Sequence, residues 1–352
     1  MPSMVRQPQE IQTLYSELSE RLAAFEAGRT FSSLKGSFAK KHVAGSDYWY
    51  FKTSETAGGQ REASIGPDTP ATRSVIAAYQ RGRPAVEEAQ SAITRLCAML
   101  RQGGAMLTDT VSAKVISGLA SAGVFRLGAV LVGTHAFIAL GNVLGVRWQS
   151  GLRTEDIDIL ASPVLEVAVT PIEADLPGTL ESLNTGFLPV PKLDSRKPET
   201  SFKVRGKTLR VDLLTPARGR RDGKPVPIPR LKASAQPLEF LGFLLEAPVA
   251  TPIVDGGATM VNVPDAARFA LHKLIVSVDR SLSSQPKAIK DRQQAGEMIQ
   301  VLLEDRPGDI ELAVEAINRR PKGWRSKLRG GLGRLQEAHD EAKEKIGALL
   351  AD

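Results

Sequence analysis

Residues 131–160 read LVGTHAFIALGNVLGVRWQSGLRTEDIDIL, and the fold turns on this stretch. A short apolar run over 129–132 is interrupted by Gly133 and Thr134, and 136–144 continues with helical spacing. This predicts a strand, a glycine turn and a helix, followed by a linker and a second strand. The second strand, 154–159, ends in alternation, so Asp156 and Asp158 share one face while Ile157 and Ile159 take the other. Two carboxylates side by side repel each other. A divalent cation makes the pair favourable, because hard oxygen ligands suit Mg²⁺.

Further along, 208–214 (TLRVDLL) alternates in the same way, with Leu209, Val211 and Leu213 on one face and Arg210, Asp212 and Leu214 on the other. Gly206 and Lys207 predict a hairpin turn that sets 201–204 beside this strand.

Gly-Thr before a helix, then Arg153-Thr154-x-Asp156-x-Asp158 on a strand, resembles the nucleotidyltransferase fold of the polymerase β superfamily. The closest flavour is a bacterial group that includes abortive-infection and toxin-type nucleotidyltransferases. The resemblance implies an α+β fold, with a mixed sheet flanked by helices. It implies that Asp156, Asp158 and Asp212 hold Mg²⁺ or Mn²⁺ and that Gly133 and Thr134 hold the phosphates of an NTP such as ATP. By the same resemblance Lys273 meets a nucleotide phosphate, and Lys290 and Asp291 line the cleft as positioning or acid–base groups. Spacing alone makes Lys273 a surface lysine. The implied reaction is transfer of NMP to an acceptor hydroxyl of RNA, tRNA or protein, with release of pyrophosphate.

Three regions are expected: 1–107, a helix and a small β-meander; 108–262, the catalytic domain; and 263–352, a helical C-terminal domain. In the first, Ile11, Leu14, Tyr15, Leu18, Leu22 and Phe25 stripe a helix over 9–27 that packs on this protein or on a second copy. Residues 35–68 read as short strands with glycine turns at 45 and 58–59. Tyr48, Trp49 and Tyr50 lie there among Lys40, Lys41 and Lys52, a composition that suits either packing on a helix or stacking on bases. Helices are expected over 70–103 and 110–124, with Pro84 breaking or beginning one. Apolar runs at 187–190, 238–245, 248–254 and 258–263 read as strands, 164–169 is mostly apolar, 176–183 reads as a short helix, and 296–318 and 335–350 read as helices.

The chain has 352 residues, 42% hydrophobic, and a net charge of +7, which favours a polyanionic partner. No stretch approaches a membrane span, and the N-terminal residues MPSMVRQPQE carry no apolar run, so a cytoplasmic location is expected. The single cysteine, Cys97, sits in an apolar helical pattern and reads as packing. The loop 218–232 is basic and glycine- and proline-rich. Arg319, Arg320, Lys322, Trp324 and Arg325 open the strongest basic run, which no acid interrupts, and form the candidate RNA contact. Competing readings are a non-catalytic nucleic-acid-binding or regulatory protein on this fold, and a toxin of a toxin–antitoxin pair. A homodimer is possible.

Overall fold

The computed structural model describes residues 4–54, 60–149, 152, 154–163, 173–192, 194, 197–217, 223–281 and 284–351. The glycine turn at 58–59, Arg153, the apolar run at 164–169 and the arginines at 218, 220 and 221 lie outside the described residues.

In chain order, β1 (Met4–Arg6) precedes α1 (Gln9–Ala27), and β2 (Ser37–Val43), β3 (Ser46–Ser54) and β4 (Gln60–Pro67) follow. Next come α2 (Pro70–Gln102), α3 (Thr110–Ser121), β5 (Val130–Val132), α4 (Gly133–Val143), β6 (Val146–Trp148), β7 (Asp156–Leu160) and α5 (Leu176–Ser182). The strands β8 (Phe187–Pro189), β9 (Ser201–Val204), β10 (Arg210–Pro216), β11 (Val226–Ile228), β12 (Ala233–Leu238), β13 (Val249–Val254) and β14 (Ala258–Val263) come next. The C-terminal helices are α6 (Ala266–Val278), α7 (Gln285–Asp305), α8 (Pro307–Asn318), α9 (Lys322–Leu332) and α10 (Asp340–Leu349). The architecture is α+β around a mixed sheet, as expected.

That sheet runs β11-β12-β10-β7-β5, with β8 and β9 attached to β10. β7 lies parallel to β10, which lies parallel to β12, while β5 and β9 run antiparallel to their neighbours. Ile157, Ile159, Val211 and Leu213 are fully buried in one core with Ile116, Phe137 and Phe269. Each buried branched side chain of this kind stabilises the fold by about 1.5–3 kcal/mol. The opposite faces of β7 and β10 are therefore free to carry polar groups.

α1 packs on this protein's own α2. Ile11, Tyr15, Leu18 and Leu22 meet Ile93, Leu96, Cys97 and Leu100. The Tyr15 hydroxyl donates to the Pro252 carbonyl at 2.7 Å. β1 pairs with β6, and Arg6 reaches across to Glu304 and Asp305 at the end of α7.

Pro84 does not break α2, which is continuous for 33 residues. Pro84 is exposed, so the ring and the lost N–H bond meet solvent, and the helix is anchored on both sides of it. The β2-β3-β4 meander packs Phe38 and Phe51 with Phe31 and Tyr79, ring centroids 4.9–6.0 Å apart. Its lysines are matched by its own acids. Lys40 pairs with Asp47 and Asp68 at 2.8 Å, and Lys41 and Lys52 both pair with Glu62. The packing reading accounts for Phe38 and Phe51, whereas Tyr48, Trp49 and Tyr50 are half-buried, with Lys40 over the Trp49 ring, Lys41 over the Tyr50 ring and Trp49 Nε1 donating to Asp68 at 3.0 Å.

The run 238–245 is not a strand. β12 ends at Leu238, and Leu241–Leu245 is a 3₁₀ turn that buries Leu241, Phe243 and Leu244. A short apolar run has no periodicity to tell the two apart. β11, in the proline-rich 225–229, escaped the sequence pattern. It is an edge strand, where proline's missing N–H does no harm. The helix expected over 296–318 is two helices, parted where Arg306 precedes Pro307.

Candidate active site

The register brings the carboxylates together. Asp158 lies opposite Asp212 and Asp156 opposite Arg210 across the β7–β10 pair. On the other side of β7, Val132 lies opposite Asp158. The first turn of α4 therefore starts beside that carboxylate. Gly133 has φ +69°, and a Cβ there would collide with the Asp158 carboxylate. Glycine is required twice at this position, for the backbone angle and for the approach.

These residues open on a cleft of about 940 Å³. Its lining includes Gly133, Thr134, Asp156, Asp158, Asp212, Lys273, Lys290 and Asp291, so the residues that the resemblance assigned to cation and nucleotide all face one space. Arg280 and Lys287 join them, and Leu238, Phe240, Leu241 and Phe269 give the cleft an apolar side.

The helical wall is a built charge network. Lys273 is buried, not on the surface, and its ammonium donates to Asp291 Oδ1 at 2.8 Å. Arg280 donates to Asp291 Oδ2 from Nε at 3.0 Å and from Nη2 at 2.7 Å. Burial works against the Asp291 carboxylate, but Lys273 and Arg280 outweigh it and hold its pKa below the usual range. Both carboxylate oxygens of Asp291 are thus engaged by cationic side chains. Burial, with Lys273 nearby, lowers the pKa of Lys290. Lys287 stands 3.8 Å from Asp156.

Asp158 is pushed up to about 6, by burial first and then by the charges of Asp212 and Asp156. Among the described residues, no three His, Cys, Asp or Glu side chains already converge as a metal cluster. Asp212 is turned toward Arg210, whose Nε donates to Oδ1 at 2.7 Å. The donor set nevertheless fits a hard divalent cation: three carboxylates adjacent by register, with repulsion that a cation would offset.

His135 points into the core with neither ring nitrogen hydrogen-bonded, and burial pushes it down to about 4. It is structural. Lys287 and Phe240 were missed in the sequence. Lys287 is three and four positions before Lys290 and Asp291, the spacing of one helix face. Phe240 adopts φ +66°, an angle that no sequence pattern announces.

The C-terminal basic run is laced with acids that lie outside it. Arg319 pairs with Glu315, Arg320 with Glu246 and Lys327 with Asp279. Arg325 is buried and donates to the carbonyls of Asn318 and Arg320. Trp324 packs edge-on against Phe240, centroids 4.6 Å apart. An acid-free stretch of sequence did not mean an acid-free surface, because its partners lie outside the stretch: Glu246 and Asp279 far along the chain, and Glu315 one helical turn before Arg319.

Among the described residues no helix is long and apolar enough to cross a membrane. A family model described as "Nucleotidyltransferase" matches residues 110–318, more than half of the chain and all of the cleft lining. No curated protein and no solved structure matches.

Proposed function

This chain belongs to the nucleotidyltransferase family and is a transferase enzyme, and on that premise we propose that it moves NMP from an NTP to an acceptor hydroxyl, of RNA, tRNA or protein, with Mg²⁺ or Mn²⁺. The observation that carries this reading is the register pairing of Asp158 with Asp212 beside Asp156, across one cleft from Lys273, Lys287 and Lys290.

Asp156, Asp158 and Asp212 would hold the cation. When bound, it supplies charge neutralisation at the α-phosphate and eases loss of the acceptor proton. The unsatisfied N–H groups of the first turn of α4, at Gly133 and Thr134, face incoming β and γ phosphates. Lys273 spends one donor on Asp291 and keeps two for phosphate oxygens. Arg280 and Asp291 fix its direction, and Lys287 and Lys290 add positive charge where pyrophosphate accumulates. Phe240, in a strained backbone angle at the apolar side, offers a ring to the base.

The test is a transfer assay with each α-³²P-labelled NTP, Mg²⁺ or Mn²⁺, and total RNA and protein. Label in RNA or protein is expected with wild type. Asp156→Ala/Asp158→Ala should reduce it by about 100-fold or more, since several kcal/mol of charge stabilisation go with the cation. Absence of label with all NTPs would overturn the proposal.

A further inference from the structure

One edge of β10 is shared by two partners. Arg210, Val211 and Asp212 pair with β9, whereas Leu214, Thr215 and Pro216 pair with β12. Where the two partners part, the sheet opens, and such a switch of neighbours is where open sheets form crevices. Here the crevice is a second cavity of about 250 Å³ that shares Asp212 with the main cleft.

This annexe is a donor-rich space. Lys192, Thr200, Ser201, Arg210 and Gln236 line it, and Asp212 is its one acid among the described residues. Lys192 Nζ donates to Gln236 Oε1 at 2.8 Å and keeps two further donors. Arg210 Nη2 donates to Ser201 Oγ at 2.9 Å while its Nε holds Asp212. The hydroxyl-bearing Thr200 and Ser201 are buried. Desolvation, and then Lys197, disfavour the charged form of Lys192, so an anion delivered here would be stabilising.

Its position gives it a role. The sheet order places α4's first turn beyond β7 on one side of Asp212, and the annexe beyond β10 on the other. Leaving and attacking oxygens sit roughly in line at a transferred phosphoryl group. With the nucleotide phosphates toward Gly133 and Lys273, the attacking hydroxyl comes from the annexe side.

We propose that the annexe holds a phosphoryl group of the acceptor, through Lys192 and Arg210, next to the hydroxyl that is modified at Asp212. The inference rests on the nucleotidyl-transfer reading of the main cleft and names the acceptor's chemistry: a hydroxyl with a phosphate beside it. A polynucleotide 3′ end and a small phosphate ester both have that chemistry.

Titrations of the full chain without NTP decide it, with two probes: a short single-stranded RNA ending in a 3′-hydroxyl, and glycerol 3-phosphate. At least one probe should bind, and Lys192→Ala should weaken it by about tenfold, Lys192→Glu by more, with ATP affinity moving less than about twofold. Binding of RNA alone identifies a polynucleotide end, and binding of glycerol 3-phosphate identifies a small ester. Failure of both probes to bind wild type, or binding indifferent to both substitutions, overturns the inference. Transfer whose acceptor KM ignores Lys192→Glu removes the annexe and leaves the transfer reading standing. Lys192-dependent probe binding without transfer from any NTP does the reverse.

Discussion

A single methyl group tests how the phosphate turn and the carboxylates depend on each other. Gly133→Ala would force a side chain against Asp158 at a backbone angle of +69°, displacing that carboxylate and straining the turn together. An activity loss of about 100-fold is expected, because misplacing a reacting group by about 1 Å costs that much. Near-wild-type transfer by this variant would contradict the tight apposition. A second prediction concerns the buried imidazoles. Burial pushes His135 down to about 4 and His272 to about 3, from an ordinary 6.5. Below pH 6.5 the unfolded chain takes up protons that the folded chain refuses. Stability present above that pH is therefore lost as the pH falls toward 4, by up to about 1.4 kcal/mol per pH unit for each histidine. His135→Leu should flatten the fall in urea midpoint between neutral and mildly acidic solution, and an unchanged slope would show that the imidazole is not held neutral.

At the scale of elements, α6 and α7 are joined through a charge pair whose partners are nine-tenths buried. Asp291→Ala would strand the Lys273 ammonium in the core, at a cost of about 3–5 kcal/mol. Chemical denaturation should register that loss. A loss below about 1 kcal/mol would mean that Lys273 finds another partner or reaches solvent. The same pair marks where sequence reading runs out. β7 and β10 are readable because alternation and a glycine hairpin are local signals, and they place Asp156, Asp158 and Asp212 on the correct faces. Lys273 sits among Leu271, Leu274 and Ile275, and periodicity gives no reason for a lysine there. Its reason arrives with Arg280 and Asp291, seven and eighteen positions on. The partners of Arg320 and Lys327 are likewise remote, at Glu246 and Asp279.

At the scale of the whole molecule, the meander and the catalytic core share α2 but not their buried residues. Phe51, Ile76 and Tyr79 are buried outside the clusters that hold Ile157 and Leu18. The meander should therefore open by itself, and hydrogen exchange should show β2, β3 and β4 losing protection at lower denaturant than β7 and β10. Simultaneous loss in both would mean one cooperative unit. The sequence foretold the meander's strands, but the packing of Phe38 and Phe51 depended on Phe31 and Tyr79, which flank it.

The tie between β1 and the rest of the fold bears on how the chain is made. Arg6 meets Asp305, 299 positions later. At about 5–20 residues per second of synthesis, Arg6 waits on the order of half a minute before that partner exists. The strand can pair with β6 as soon as residues 146–148 are made, but the exposed Arg6 side chain has to wait in water for the rest of that interval.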